Sequence, residues 1–81
     1  MADRGQGRGT VIRWEAALGR GLLEVVGRRG ECLVDAAALH PGAGGALRAG
    51  QVVDVEWEQR GAELRALRVT PREDLQVTLG G

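Results

Sequence analysis

The stretch that decides the fold spans residues 9–39, GTVIRWEAALGRGLLEVVGRRGECLVDAAAL. It contains three apolar segments, at residues 10–14, 22–26 and 31–34, parted by short Gly- and Arg-rich breaks. In the first, the β-branched Val11 and Ile12 favour an extended backbone. The run Glu15-Ala16-Ala17-Leu18 has the makings of one helical turn, but Gly19 and Gly21 stop it from growing, and a bend into the next strand is the simpler expectation. In the second segment a period of two puts Leu23 and Val25 on one face and Arg20, Leu22 and Glu24 on the other. Gly27-Arg28-Arg29-Gly30 is a glycine-bounded turn with both arginines exposed at its tip. In the third, Cys32 and Val34 face one way and Leu33 and Asp35 the other. Asp35 then stands where its carboxylate can cap a short helical turn starting at Ala36.

The pattern continues downstream. Residues 51–58 alternate most clearly, with Val53, Val55 and Trp57 on one face and Asp54, Glu56 and Glu58 on the other, as in a half-buried antiparallel strand with a solvated acidic face. Gln59-Arg60-Gly61 reads as a hairpin turn and residues 62–69 as the returning strand, whose Glu63 and Arg65 can pair with the acidic row. The segment from His40 to Gly45 is a loop. Residues 1–8 are polar and glycine-rich and read as a disordered arm whose Arg4 and Arg8 are solvated or help to attract an anion. Residues 71–81 read as a loosely attached tail. Short strands without a long helix predict one all-β domain over residues 9–70, a small closed or partly closed barrel.

Composition narrows the function classes. A chain of 81 residues holds one domain, and its 43% hydrophobic content includes no Phe or Tyr, so the core must be Val, Leu, Ile and Ala. No run approaches the roughly 20 apolar residues of a membrane span, and the first residues lack the apolar centre of a secretory signal. A cytoplasmic protein without a membrane partner is the expectation. The single Cys32 excludes an internal disulfide and a multi-cysteine zinc site, and its strand-like setting reads as a small buried hydrophobe rather than a reactive thiol. His40 is a lone, solvent-facing loop histidine, so no metal site is expected. Asp54, Glu56 and Glu58 have neither a nucleophile nor a base beside them, so no catalytic residue and no cofactor is expected. All the basic residues are Arg, and eleven of them balance eleven acids. Bulk charge therefore announces no polyanionic partner, and only a local arrangement of guanidinium groups can.

The order of these pieces resembles the cold-shock domain family, over residues 9–69. The family's opening G-x-V-K-W-F is matched by Gly9-Thr10-Val11-Ile12-Arg13-Trp14-Glu15, and its G-F-G-F-I by Gly19-Arg20-Gly21-Leu22-Leu23. Its D-V-F-V-H-F followed by S-A-I corresponds to Glu31-Cys32-Leu33-Val34-Asp35-Ala36 and Ala37-Ala38-Leu39. Its L-x-x-G-Q-x-V is intact as Leu47-Arg48-Ala49-Gly50-Gln51-Val52-Val53, and A-x-N-V corresponds to Ala66-Leu67-Arg68-Val69. The resemblance implies a five-stranded antiparallel OB-type barrel that binds single-stranded RNA or DNA, without cofactor or catalysis, and regulates transcription or translation.

The matches are scaffold residues, and the departures lie on the binding surface. The family's outward aromatic and His positions are here Arg20, Leu22, Leu33, Asp35 and Ala36, and the aromatic after the Trp is Glu15. Each base stacked on a ring contributes about 1–3 kcal/mol, so the binding to expect is weak, salt-dependent and of little sequence preference. In that reading Trp14 and Arg20 stack, Leu22 and Leu33 offer apolar contact, and Arg13, Arg28 and Arg29 meet phosphates. Alternation alone leaves Trp14 open between an exposed platform and a core residue; the resemblance favours the platform. Trp57 reads as core. An alternative of a different class follows from Leu22 and Leu33 themselves. An exposed apolar patch on the former binding face would suit a protein partner or a homodimer.

Overall fold

The computed structural model describes residues 2–39 and 46–72. Strand β1 spans Ala2–Glu15, β2 Arg20–Val25, β3 Glu31–Asp35, β4 Val52–Arg60 and β5 Glu63–Pro71, with a 3₁₀ turn at Ala36–Ala38 after β3. The strands close in the order β1-β2-β3-β5-β4, the ring of an OB-type barrel. Four of the pairings are antiparallel and β3–β5 is parallel. This is the five-stranded antiparallel OB-type barrel expected from the sequence; a closed ring with an odd number of strands cannot alternate direction throughout, and the one parallel seam falls at β3–β5. Asp35 caps the 3₁₀ turn as expected, accepting a hydrogen bond from the Ala37 N–H at 3.0 Å.

The core is aliphatic. Its largest fully buried side chains are Leu23, Val11, Val53, Val55 and Val69, with Cys32 among them. Burial patterns along β2 and β3 follow the two-residue period read from the sequence. Two bulges interrupt that period elsewhere. On β1, Val11 pairs with Leu23 and Arg13 with Leu22, leaving Ile12 without a partner. On β5, Glu56 faces Arg68 and Trp57 faces Ala66, leaving Leu67 over. Each extra residue reverses which way the following side chains point. Val11 and Trp14 therefore both turn inward, although they lie three positions apart.

The ends of the domain differ from expectation. Residues 2–8, read as a disordered arm, are the first half of β1 and pair with β4 from Ala2↔Arg60 onward. Gly5, Gly7 and Gly9 face Trp57, Val55 and Val53 across the ladder, while Arg4, Gln6 and Arg8 face Glu58, Glu56 and Asp54 on the outside. Of these glycines, which looked like flexible spacers, Gly5 makes room for a large neighbour. A Cβ on Gly5 would run into the indole of Trp57. Pro71 lies within β5, and the Arg72 N–H donates to the Val52 carbonyl at 3.0 Å, so these residues belong to the barrel and not to a tail. The expected loop at residues 40–45, His40 included, and the expected tail from residue 73 onward lie outside the described residues.

Candidate nucleic-acid interface

The bulge at Ile12 sets the outer face of β1, β2 and β3. Beyond it Arg13 turns outward and comes into register with Leu22, Leu22 with Leu33, and Leu33 with Arg65 on β5. One row across four strands thus reads Arg–Leu–Leu–Arg. The next row is Glu15–Arg20–Asp35, and on the other side lies Thr10–Glu24–Glu31. The first two rows line a shallow groove of about 470 Å³ that holds three arginines, two carboxylates and the leucine pair.

The charges in this groove are loosely held. Arg13 Nε lies 3.6 Å from Glu15 Oε1, Arg65 Nη1 lies 3.8 Å from Asp35 Oδ2, and Arg65 Nε lies 3.5 Å from Glu63 Oε2. Exposed pairs at such separations contribute about 0–1 kcal/mol and yield readily to a better partner. Arg20 stands between Glu15 and Asp35 in the ladder and makes no ion pair among the described residues. Leu33 is 39% exposed at the centre of the face.

Of the residues singled out in the sequence, Arg13, Arg20, Leu22 and Leu33 meet in this groove. The other three are placed differently. Trp14 does not stand out as a platform beside Arg20. It is half-buried against the core and lies over Gly21 of β2, where a Cβ would press on the indole and on the Arg13 carbonyl. Its remaining exposure borders a second groove with Ile12, Leu22 and Arg48. Arg28 is not free at a turn tip. Its guanidinium lies 4.2 Å from the centroid of the Trp57 ring and hydrogen-bonds to the Gln59 side chain, at the opposite end of β1 from Arg13. Arg29 is exposed and borders a depression with Ile12, Glu24 and Glu31, away from the leucine groove.

Sequence reasoning missed Arg65, Arg48 and Ile12 as neighbours of this face. Arg65 faces Glu58 of the acidic row across β4, as the sequence suggests, and the parallel β3–β5 seam also brings it beside Leu33. Arg48 lies in the segment before β4, where nothing local marks it as a neighbour of Trp14. Ile12 had a signal that alternation alone cannot use, an apolar residue beside another in a strand of otherwise mixed polarity.

The acidic row is solvated at Glu56 but not along its whole length. Asp54 pairs with Arg72 at 3.1 Å. Glu58 is only 8% exposed, enclosed by Arg4 at 3.0 Å and Arg60 at 2.9 Å. The Arg4 hydrogen bond and the nearby Arg60 charge outweigh the cost of burial and hold the Glu58 carboxyl below its ordinary value. Cys32 is buried, and burial pushes its thiol up to about 11, which keeps it protonated and inert. Among the described residues no group of His, Cys, Asp and Glu is placed to hold a metal ion, and no helix is long and apolar enough to cross a membrane.

The fold and this face define a small OB-type barrel whose outer sheet mixes apolar residues with charges of both signs. Neither protein-family models nor curated proteins match the chain.

Proposed function

We propose that this chain is a non-enzymatic, cold-shock-like protein of the cytoplasm that binds single-stranded RNA or DNA weakly, with little preference for any one sequence, and regulates transcription or translation through that binding. The observation that carries the reading is the outer row Arg13–Leu22–Leu33–Arg65 with Arg20 beside it. Guanidinium groups flank an apolar floor, so phosphates have cations to meet while bases lie against leucine and arginine planes. Glu15 and Asp35 oppose the phosphates, and no exposed aromatic ring replaces the lost stacking, which keeps the affinity low.

The test is a titration at low salt with a short single-stranded oligonucleotide, followed by mobility and by tryptophan fluorescence in a Trp57→Phe background, so that Trp14 alone reports. Binding in the high micromolar range is expected. Its logarithm should fall with log salt by about 0.7 for each phosphate met, and Leu22→Glu should abolish it. No change in signal or mobility at high micromolar strand sinks the reading.

A second reading is favoured by one observation, the exposed apolar cluster in which Leu33 is 39% and Ile12 38% exposed. On that reading the face meets a protein or a second copy of the chain. Sedimentation would show a dimer that Leu33→Glu dissociates, and a strictly monomeric chain with no recoverable partner counts against it.

A further inference from the structure

The closed ring still leaves one strand edge open. β1 pairs with β4 from Ala2 onward but with β2 only from Gly9. The direction of each backbone group follows from the bonds of the flanking residues. The Arg8 carbonyl accepts from the Val26 N–H at 2.9 Å, on the β2 side, whereas Val11 bonds to Gly50 and Gln51, on the β4 side. Bonding direction alternates along a strand, so Gly5, Gly7 and Gly9 address β4, while Arg4 and Gln6 address the lane that β2 has left. Gly27, at φ 81°, turns the chain out of that lane just past Val26. Among the described residues nothing pairs with β1 there. An open edge of this kind is a template for another strand.

Charge decides which strand fits and in what register. A second copy laid antiparallel along the free stretch can centre on Arg4, Gly5 or Gln6. Centring on Arg4 sets that arginine against its own equivalent. Centring on Gln6 sets Arg4 against Arg8 of the second copy, whose carbonyl Val26 already occupies. Centring on Gly5 sets Arg4 against Gln6 on both sides of the axis, and their free N–H and C=O groups meet in about four backbone hydrogen bonds. Each outer row then runs Arg65–Glu58–Arg4 in one copy and Gln6–Glu56–Arg68 in the other, with no like charges directly opposite. We propose that the chain self-associates through this edge, β1 against β1 of a second copy, with Gly5 on the two-fold axis. The seam takes residues 3–7 and the leucine groove begins at Arg13, so both copies keep that groove open.

So short a ladder buries far less than about 1,200 Å², and the dimer should be weak, with a dissociation constant of about 0.1–1 mM. Sedimentation equilibrium across that range measures it, and amide exchange followed by NMR locates it. In the wild type the Arg4 and Gln6 amides should gain protection as concentration rises, while the Gly5 and Gly7 amides, bonded to β4, are protected throughout. Gln6→Arg sets like charges opposite each other in the seam but still faces Glu56 within its own chain. The barrel should therefore fold and the dimer weaken by about tenfold or more. Gln6→Pro removes the bonding N–H and should abolish association, with Gly5 amide protection showing that β1 remains on β4. Leu33→Glu should leave the dissociation constant unchanged. A wild type that stays monomeric through the range overturns the proposal. So does a dimer that survives Gln6→Arg, or one that Leu33→Glu dissociates, which would place the contact on the leucine face instead.

Discussion

The barrel has two outer faces built from the same residue types in opposite arrangements. On the β1–β4–β5 side the acids occupy the middle strand and arginines flank them, so Arg4 and Arg60 enclose Glu58 and Arg72 meets Asp54. On the β1–β2–β3 side a leucine pair holds the middle of the face between Arg13 and Arg65, with charged rows on either side, and Arg20 makes no ion pair among the described residues. Placement decides what each face can do. A carboxylate enclosed between two guanidinium groups has its interactions met inside the molecule, and that face contributes to stability. A leucine pair between loosely paired arginines leaves both apolar area and charge for a partner. Equal totals of Arg and acid, which make the chain look electrostatically silent, hide one face on which Glu58 and Asp54 are closely paired and one on which the arginines are paired loosely or not at all.

The comparison breaks most visibly at the glycines under each face. At Gly21 an added Cβ meets the backbone carbonyl of Arg13 and the ring of Trp14, neither of which can swing away. Gly21→Ala should therefore separate β1 from β2 and cost about 1–3 kcal/mol in urea unfolding, as overpacking does. The displaced Arg13 should weaken oligonucleotide binding as well. Gly7, beneath the charged face, has nothing within 4 Å of a built Cβ. Gly7→Ala should leave stability within about 0.5 kcal/mol, or raise it slightly by stiffening the unfolded chain. Equal losses at the two sites would mean that β1 does not lie over β2 as described.

Glu58 offers a second way to separate the faces. Its carboxyl is held below the ordinary value of 4.5, first by the Arg4 hydrogen bond. A depressed folded value contributes stability that is complete above 4.5 and is lost as pH falls through the lower folded value. Glu58→Gln should lower the thermal midpoint at neutral pH and flatten that acid limb, while oligonucleotide affinity at neutral pH stays as in wild type. A variant with the wild-type acid limb would show that another carboxylate governs it.

How far the chain could be read from its residues follows from where the two-residue period holds. β2 and β3 keep it, so Leu22, Leu33 and Arg20 were correctly placed outward and Cys32 inward. The small all-β barrel also followed, because turn glycines and alternating runs mark strands whatever their partners, while its OB-type form was what the family resemblance implied. Trp14 was not readable in this way. Alternation left it open between platform and core, and it is the extra residue Ile12 that turns it in. The pairing of residues 2–8 was hidden by composition, since a Gly-rich, Arg-rich run reads as solvated until a tryptophan on another strand is seen to need that space. Arg65 depended on the parallel seam, which joins residues about thirty positions apart and leaves no local trace.

The two tryptophans carry the comparison to its finest grain. Each is half-buried against the core and lies over a glycine of the neighbouring strand, Trp14 over Gly21 and Trp57 over Gly5. They differ in what covers the rest. Trp57 is closed by the Arg28 guanidinium at 4.2 Å from its ring centroid, whereas Trp14 borders an open groove with Ile12 and Arg48. A partly exposed cation–π contact is worth about 0.5–1 kcal/mol, so Arg28→Ala should cost about that much in unfolding. It should also raise acrylamide quenching of Trp57, read in a Trp14→Phe background, towards that of Trp14. Because Arg28 is committed to Trp57, the same substitution should leave the salt slope of oligonucleotide binding unchanged. A slope reduced by about 0.7 would instead assign Arg28 to a phosphate, moving the boundary of the binding face to the far end of β1.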